Sequence, residues 1–296
     1  MTEYKLFAGC TIGNRIPFIE SSARLVFNRL GIQISEAQFS CCPDVTGFKT
    51  FDNFGWLVLG ARNLCLAEAE GKDIITLCNG CANTLRGVSY QLKHDSHKKE
   101  KVNEELAKIG KNYKGTIEIK HFVDVLKENI GISKIQEKIE KPLTSLKVAC
   151  HPGCHYMRPT EWMENDDPMN PRNLKELVAS TGAIVIDYEG QTVCCGSATM
   201  NHYGFQEIGM QMLKHKFDLI NKSKDVDVIC VHCPSCFRQF DTKQKDLQKE
   251  FGIEYNIPVL YLTELLALSM GFDLKDYGMK FHRIRLNDLI DKALNY

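Results

Sequence analysis

The chain has 296 residues, 44% of them hydrophobic and 25% charged, with 37 basic side chains against 37 acidic ones. That length suits two domains of ordinary size, each able to bury a core. Zero formal net charge excludes a global field for collecting nucleic acid or an anionic membrane, and no apolar run approaches the roughly 18 residues that span a bilayer.

The opening segment, Met1-Thr2-Glu3-Tyr4-Lys5-Leu6-Phe7-Ala8, lacks the basic region and long apolar stretch of a signal peptide, so a cytoplasmic protein is expected. Short β-rich runs follow at residues 4–8, 32–35, 73–77 and 117–119, with helical periodicity at 18–30, 56–70 and 82–92. The run His97-Lys98-Lys99-Glu100-Lys101 interleaves glutamate with lysine and reads as a solvated helix face. A charged stretch at 130–145, including Pro142, marks the expected boundary between domains at 1–143 and 144–296. The series then repeats. β-Rich runs fall at 146–149, 183–186, 226–231 and 259–262, and helical patterns at 171–181, 202–221 and 237–249. Strands alternating with helices predict parallel α/β sheets.

A cysteine pattern carries the same repeat. The first copy is Cys10, the adjacent pair Cys41-Cys42, and Cys78-Asn79-Gly80-Cys81; the second is Cys154, Cys194-Cys195, and Cys233-Pro234-Ser235-Cys236. Between lone cysteine and pair lie 30 and 39 residues; between pair and C-x-x-C, 35 and 37. Ten of the 13 cysteines fit this scheme. Gly9-Cys10 is echoed by Gly153-Cys154, and the segment from Ile117 to Leu126 by that from Val259 to Leu266. Two homologous domains about a pseudo-twofold axis follow. Cys10, Cys78 and Cys154 come directly after β-rich runs, while Cys81 and Cys236 open helices, so distant thiols can meet beyond the carboxyl ends of the strands. Helix N-termini there favour thiolates.

Cytosolic thiols stay reduced, and an odd cysteine total argues against complete pairing, so a metal site is the better reading than a disulfide scaffold. A lone C-x-x-C fits zinc or iron–sulfur equally. A closed zinc site needs four ligands, and ordinary cubane clusters also take four cysteines. Five per copy exceeds both needs and favours iron–sulfur chemistry, with a zinc-stabilised interaction protein as the competing reading. Cys65, Cys150 and Cys230 lie in apolar segments and read as buried, inert thiols. Gly9, Gly153 and Gly196 read as turns or places where backbone closely approaches the metal site. No G-x-G-x-x-G opens a βαβ unit and no P-loop occurs, which argues against nucleotide or flavin binding.

The lone cysteine, adjacent pair and C-x-x-C, present twice, resemble the duplicated CCG-domain family over nearly the whole chain, most of all in the form of the B subunit of methanogen heterodisulfide reductases. One departure is Cys41-Cys42-Pro43, where the second copy reads Cys194-Cys195-Gly196; proline removes an N–H donor beside the first pair. With the alternating elements, the expected fold class is α/β, two pseudo-symmetric parallel-sheet (Rossmann-like) domains, each holding one iron–sulfur cluster. The resemblance implies two non-cubane [4Fe-4S] clusters, one on Cys10, Cys41, Cys42, Cys78 and Cys81, the other on Cys154, Cys194, Cys195, Cys233 and Cys236. It implies reduction of the mixed disulfide of coenzyme M and coenzyme B, held between facing clusters. It also implies a complex with a flavin-containing A subunit, a ferredoxin-like C subunit, and a hydrogenase or formate dehydrogenase. No C-x2-C-x2-C-x3-C run is present, so electrons come from another polypeptide of the complex. A related branch of the family serves organic-acid or quinone-linked oxidoreductases, and an electron-transfer subunit of that kind is the alternative. Sulfonate and phosphate on the implied substrate call for cations near the cysteines. Arg15, Arg158 and Arg238 lead, with His155 and His202 beside them and His151 and His232 also close in sequence.

Overall fold

The computed structural model describes residues 3–201, 203–223 and 225–294. Two four-stranded sheets, all parallel, form along the chain. The first has strands β1 (Glu3–Phe7), β2 (Gln33–Ser35), β3 (Ile74–Thr76) and β4 (Ile119–His121); the second has β5 (Lys147–His151), β6 (Ile184–Ile186), β7 (Val228–Val231) and β8 (Val259–Tyr261). Strand order is β2-β1-β3-β4 in one and β6-β5-β7-β8 in the other. The fold is thus α/β, two equivalent parallel sheets, and both carry a point between the first and third strands where the winding reverses.

Central strands read as continuous apolar runs because both of their faces are covered; β3 and β7 are buried throughout. The covering helices are α1 (Phe18–Leu30), α2 (Asn53–Glu68), α3 (Asn79–His94), α4 (Ser96–Ala107), α5 (Asn173–Ser180), α6 (Gln206–Asn221), α7 (Pro234–Phe251) and α8 (Leu262–Ser269). Helix α2 starts three residues before its apolar periodicity because the Asp52 carboxylate accepts from Gly55 N and caps it. Helix α6 starts after Gly204, whose φ of +76° ends the preceding turn. Strand β4 lies further along than the apolar pattern at 117–119, since polar His121 ends it fully buried.

One hydrophobic core runs through both halves. Helix α8 of the second half packs on α1 of the first, where Ser22 and Thr263 hydroxyls hydrogen-bond at 2.7 Å. Phe18 meets Phe237 edge-on at 5.2 Å. In the reciprocal contact, the turn Phe122–Asp124 after β4 packs on α5. The closing strand-to-helix unit of each half therefore leans on the other half.

Candidate metal centre

The carboxyl ends of β1 and β3, and of β5 and β7, flank the reversal points, where open α/β sheets form their ligand crevices. Cys10 follows β1 and Cys78 follows β3; Cys154 and Cys233 hold the matching places after β5 and β7. The adjacent pairs arrive on the loops after β2 and β6. Because the two halves face each other, their crevices merge, and all ten cysteines of the repeat line one cavity of about 210 Å³. All ten are free thiols.

Their contacts repeat across the pseudo-twofold axis. Cys41 is hydrogen-bonded to Cys10 while Cys42 lies 3.2 Å from Cys81. Cys194 is hydrogen-bonded to Cys154 while Cys195 lies 3.5 Å from Cys236. Each adjacent pair therefore reaches both ways, one thiol toward the lone cysteine and the other toward the C-x-x-C, while the two remain hydrogen-bonded to each other. Between the sets, Cys78 and Cys233 hydrogen-bond across the interface.

Packing so many thiols together sorts their protons. Hydrogen bonds from Cys41 and Cys81 pull Cys42 down to about 5, and those from Cys154 and Cys195 pull Cys194 down to about 2. Their donors move the opposite way: the hydrogen bond to Cys42 pushes Cys81 well up, and that to Cys194 pushes Cys154 well up, with burial adding to both. A buried cluster of thiolates needs a compensating cation, and the chemistry of ten sulfurs suits iron–sulfur binding. Backbone space fits as well. Gly9 and Gly153 have φ of +76° and +73°, and a Cβ would sit 2.9 Å from Cys81 Sγ at the first and 3.4 Å from Cys236 Sγ at the second. Gly196, at φ +79°, donates its N–H to Cys194 Sγ at 3.3 Å.

Cys65, Cys150 and Cys230 are buried away from the cavity lining, and burial pushes Cys65 up to about 11 and Cys150 to about 12. Of the expected cations, His155 lines the cavity. Arg158 lines an adjoining groove that shares His155 and Val45 with it. Arg15 is exposed at the end of the short helix Gly9–Arg15, and Arg238 is half-buried on α7; neither lines the cavity. His202 lies outside the described residues. His232 is fully buried in an aromatic cluster, 4.6 Å from Tyr156 between ring centroids.

Four cavity or near-cavity residues carry no motif signal. Lys49 joins Arg158 in the groove, its Nζ 4.8 Å from the Trp56 ring and 4.9 Å from Trp162. Asn79 lines the cavity and donates to Pro152 O at 2.9 Å, tying the halves together. Asp44 and Ser197 follow the two adjacent pairs and also line it. Comparing the halves position by position is the one sequence operation that picks out the last two.

Fold and site together define a tandem thiol-rich α/β protein with its two cysteine sets on one shared cavity. The cysteine-rich domain, CCG, matches residues 4–86 and again 148–241. The chain is 38% identical to the B subunit of the ferredoxin:CoB-CoM heterodisulfide reductase of Methanosarcina mazei, over 99% of its own length and 97% of that protein. It is 37% identical to a protein of Archaeoglobus profundus described as like the heterodisulfide reductase B subunit, over 92% of each, and 31% identical to the 8-methylmenaquinol:fumarate reductase membrane anchor subunit of Wolinella succinogenes over 95% and 97%. A crystal structure of a hypothetical protein from Helicobacter pylori has the same fold, with a TM-score of 0.76 at 17% identity; the match covers 97% of this chain and about half, 53%, of that one. The chain belongs to the CCG cysteine-rich domain family, whose members include the B subunits of heterodisulfide reductases. Among the described residues, no helix is long and apolar enough to cross a membrane.

Proposed function

We propose that this chain is the disulfide-reducing subunit of a heterodisulfide reductase, converting the mixed disulfide of coenzyme M and coenzyme B into its two thiols in methanogenesis. Residues 1–143 and 144–296 are its two cluster-binding units. One holds a non-cubane [4Fe-4S] cluster through Cys10, Cys41, Cys42, Cys78 and Cys81, the other through Cys154, Cys194, Cys195, Cys233 and Cys236. The observation that carries this reading is the convergence of both thiol sets on one cavity. When bound, the clusters supply one-electron chemistry to a reaction that takes two electrons.

The chain's own residues set the stage for it. Gly9 and Gly153 leave room beside the thiols. Lys49 and Arg158, in the groove that opens beside His155, offer cations to the sulfonate and phosphate of the substrate. Electrons reach the cytoplasmic assembly through a flavin-containing A subunit and a ferredoxin-like C subunit, fed by a hydrogenase or formate dehydrogenase.

Iron and acid-labile sulfide on the anaerobically isolated chain test the reading. About eight irons per chain are expected, and a zinc-filled chain would sink it. Replacing Cys194 and Cys195 together with serine is expected to abolish turnover of the mixed disulfide while half the iron stays. The likeness to a quinol-linked subunit favours one alternative, electron transfer in an organic-acid or quinone-linked oxidoreductase. A change in the oxidised spectrum on adding coenzyme M thiol is expected under the first reading, and its absence favours the second.

A further inference from the structure

The two halves are equivalent in backbone yet opposite in polarity around their thiols. The residue after the adjacent pair is Pro43 in the first half, which has no N–H, and Gly196 in the second, which donates to Cys194 Sγ at 3.3 Å. One residue further, Asp44 sets a carboxylate against Cys41 and Cys42, where the second half has the neutral Ser197.

The fifth residue of β1 is Phe7, packed on Phe39 at 4.9 Å; the fifth residue of β5 is His151. His151 is 2% exposed, neither ring nitrogen has a hydrogen-bond partner, and its ligand nitrogen lies within 4.8 Å of the sulfurs of Cys195 and Cys236. Finally, the eleventh residue of α2 is Asn63, which donates to Cys41 O, whereas the eleventh of α6 is Lys216. Lys216 is fully buried, its Nζ donating to the carbonyls of Gly190 and Gln191 at 2.6 and 2.9 Å, with Cys194, Cys195 and Cys236 within electrostatic reach.

Reduction adds negative charge to a metal–thiolate site, so donors to sulfur and nearby cations raise its reduction potential, and carboxylates lower it. His151 places a polar, unpartnered ring beside the second-half sulfurs where the first half has a phenyl ring. The Gly196 donor and Lys216 on one side and Asp44 on the other act in one direction. Solvent acts in the other, since Cys10 and Cys41 are exposed while Cys154 and Cys194 are half-buried. Burial pulls Lys216 down to about 7, so near neutral pH it carries part of a positive charge, set against the Asp44 carboxylate on the other side. Charges held in the protein are screened less than those in open solvent, and this difference sets the sign.

We infer that the second-half centre has the higher reduction potential of the two, set by His151 and Lys216 on its side and by Pro43 and Asp44 on the other. The first electron delivered to the chain then resides in the second half, and the second electron fills the first half. The reverse order would require electrons to run uphill between adjacent sites. This rests on the assignment of clusters to both cysteine sets. His151 and Lys216 are positioning residues, acting through the thiols.

The test is a redox titration of the full chain in its isolated complex, followed spectroscopically under argon. Two midpoint potentials are expected for the centres of this chain, beside those of the flavin-containing and ferredoxin-like subunits. His151→Phe and Lys216→Asn should each lower the higher potential and leave the other in place. Pro43→Gly combined with Asp44→Ser should raise the lower one, narrowing the gap. Variants that shift the lower potential when His151 or Lys216 is changed, or that move neither, overturn the ordering. Loss of half the iron in His151→Phe makes His151 a ligand and overturns its place as a positioning residue, while the Lys216 and Pro43/Asp44 variants still read the ordering. A wild-type chain without iron overturns the assignment of the thiols themselves, and the ordering with it.

Discussion

Gly9 is the residue on which the first thiol set most directly depends. Its φ of +76° lies where an L side chain costs about 1–2 kcal/mol, and an added Cβ would stand 2.9 Å from the Cys81 sulfur. Backbone strain and a collision with a donor atom act at one position. Gly9→Ala is expected to remove about half the iron while the second half keeps its spectrum, and Gly153→Ala to do the reverse. Equal loss from both halves in either variant would mean that the glycines serve folding and not the site. The inert thiols contrast with this. Cys150 and Cys230 pair as neighbours across β5 and β7, facing the core, where a thiol packs as a small hydrophobe.

At the scale of elements, the strand-to-helix junctions after β4 and β8 join the halves, and both use the same device. Asp124 accepts from the backbone N–H of His121, and Glu264 from that of Tyr261, each carboxylate reaching back to cap the first turn. Glu264 also holds His282 at 2.9 Å, with both side chains fully buried. Burial presses the His282 imidazole down, but the charge and hydrogen bond of Glu264, helped by Asp241, outweigh it and leave its pKa raised. The stabilisation from this pair is complete below the ordinary histidine value of about 6.5 and is lost as pH rises through the raised value. Melting temperature should therefore fall as pH rises through that raised value. Glu264→Gln should cost about 3 kcal/mol by chemical denaturation and remove that slope; an unchanged slope would place its origin elsewhere. These junctions were partly legible in the sequence, because the likeness of the segments at 117–126 and 259–266 marks the repeat. The eight strands were legible too, the central ones because strands covered on both faces are written in β-branched and apolar residues. What stayed hidden was polar and buried. His121 ends a strand that looks finished at Ile119, and Lys216 reads as the charged side of an amphipathic helix. Periodicity reports which face is apolar, and it is silent about a polar atom drawn inward by a distant carbonyl or sulfur.

For the whole molecule, the sharing of one cavity by two thiol sets requires that the halves stay in fixed register, and the contacts between them are of the kind that fix it. Asn79 donates to Pro152 O and Asn83 to the carbonyls of His155 and Arg158, so α3 is tied by its first turns to the loop that carries Cys154. Tyr261 donates to Leu77 O beside Cys78, and Tyr156 to Asp124 at 2.7 Å. Each of these bonds is anchored within a few residues of a cavity thiol or of a capping junction. The apolar core beneath them is continuous, with Phe18 and Phe237 fully buried against each other across the two halves. Separating the halves would expose that surface, at roughly 25 cal/mol per Å², and strand several buried polar groups at about 1–3 kcal/mol each. Those costs exceed what either half could recover alone, so partial unfolding of one half should drag the other with it. Scanning calorimetry of the full chain should accordingly give one transition whose calorimetric and van't Hoff enthalpies agree. Two resolved transitions would mean that the halves melt as separate units, and that the cavity between them is held by something other than their shared core.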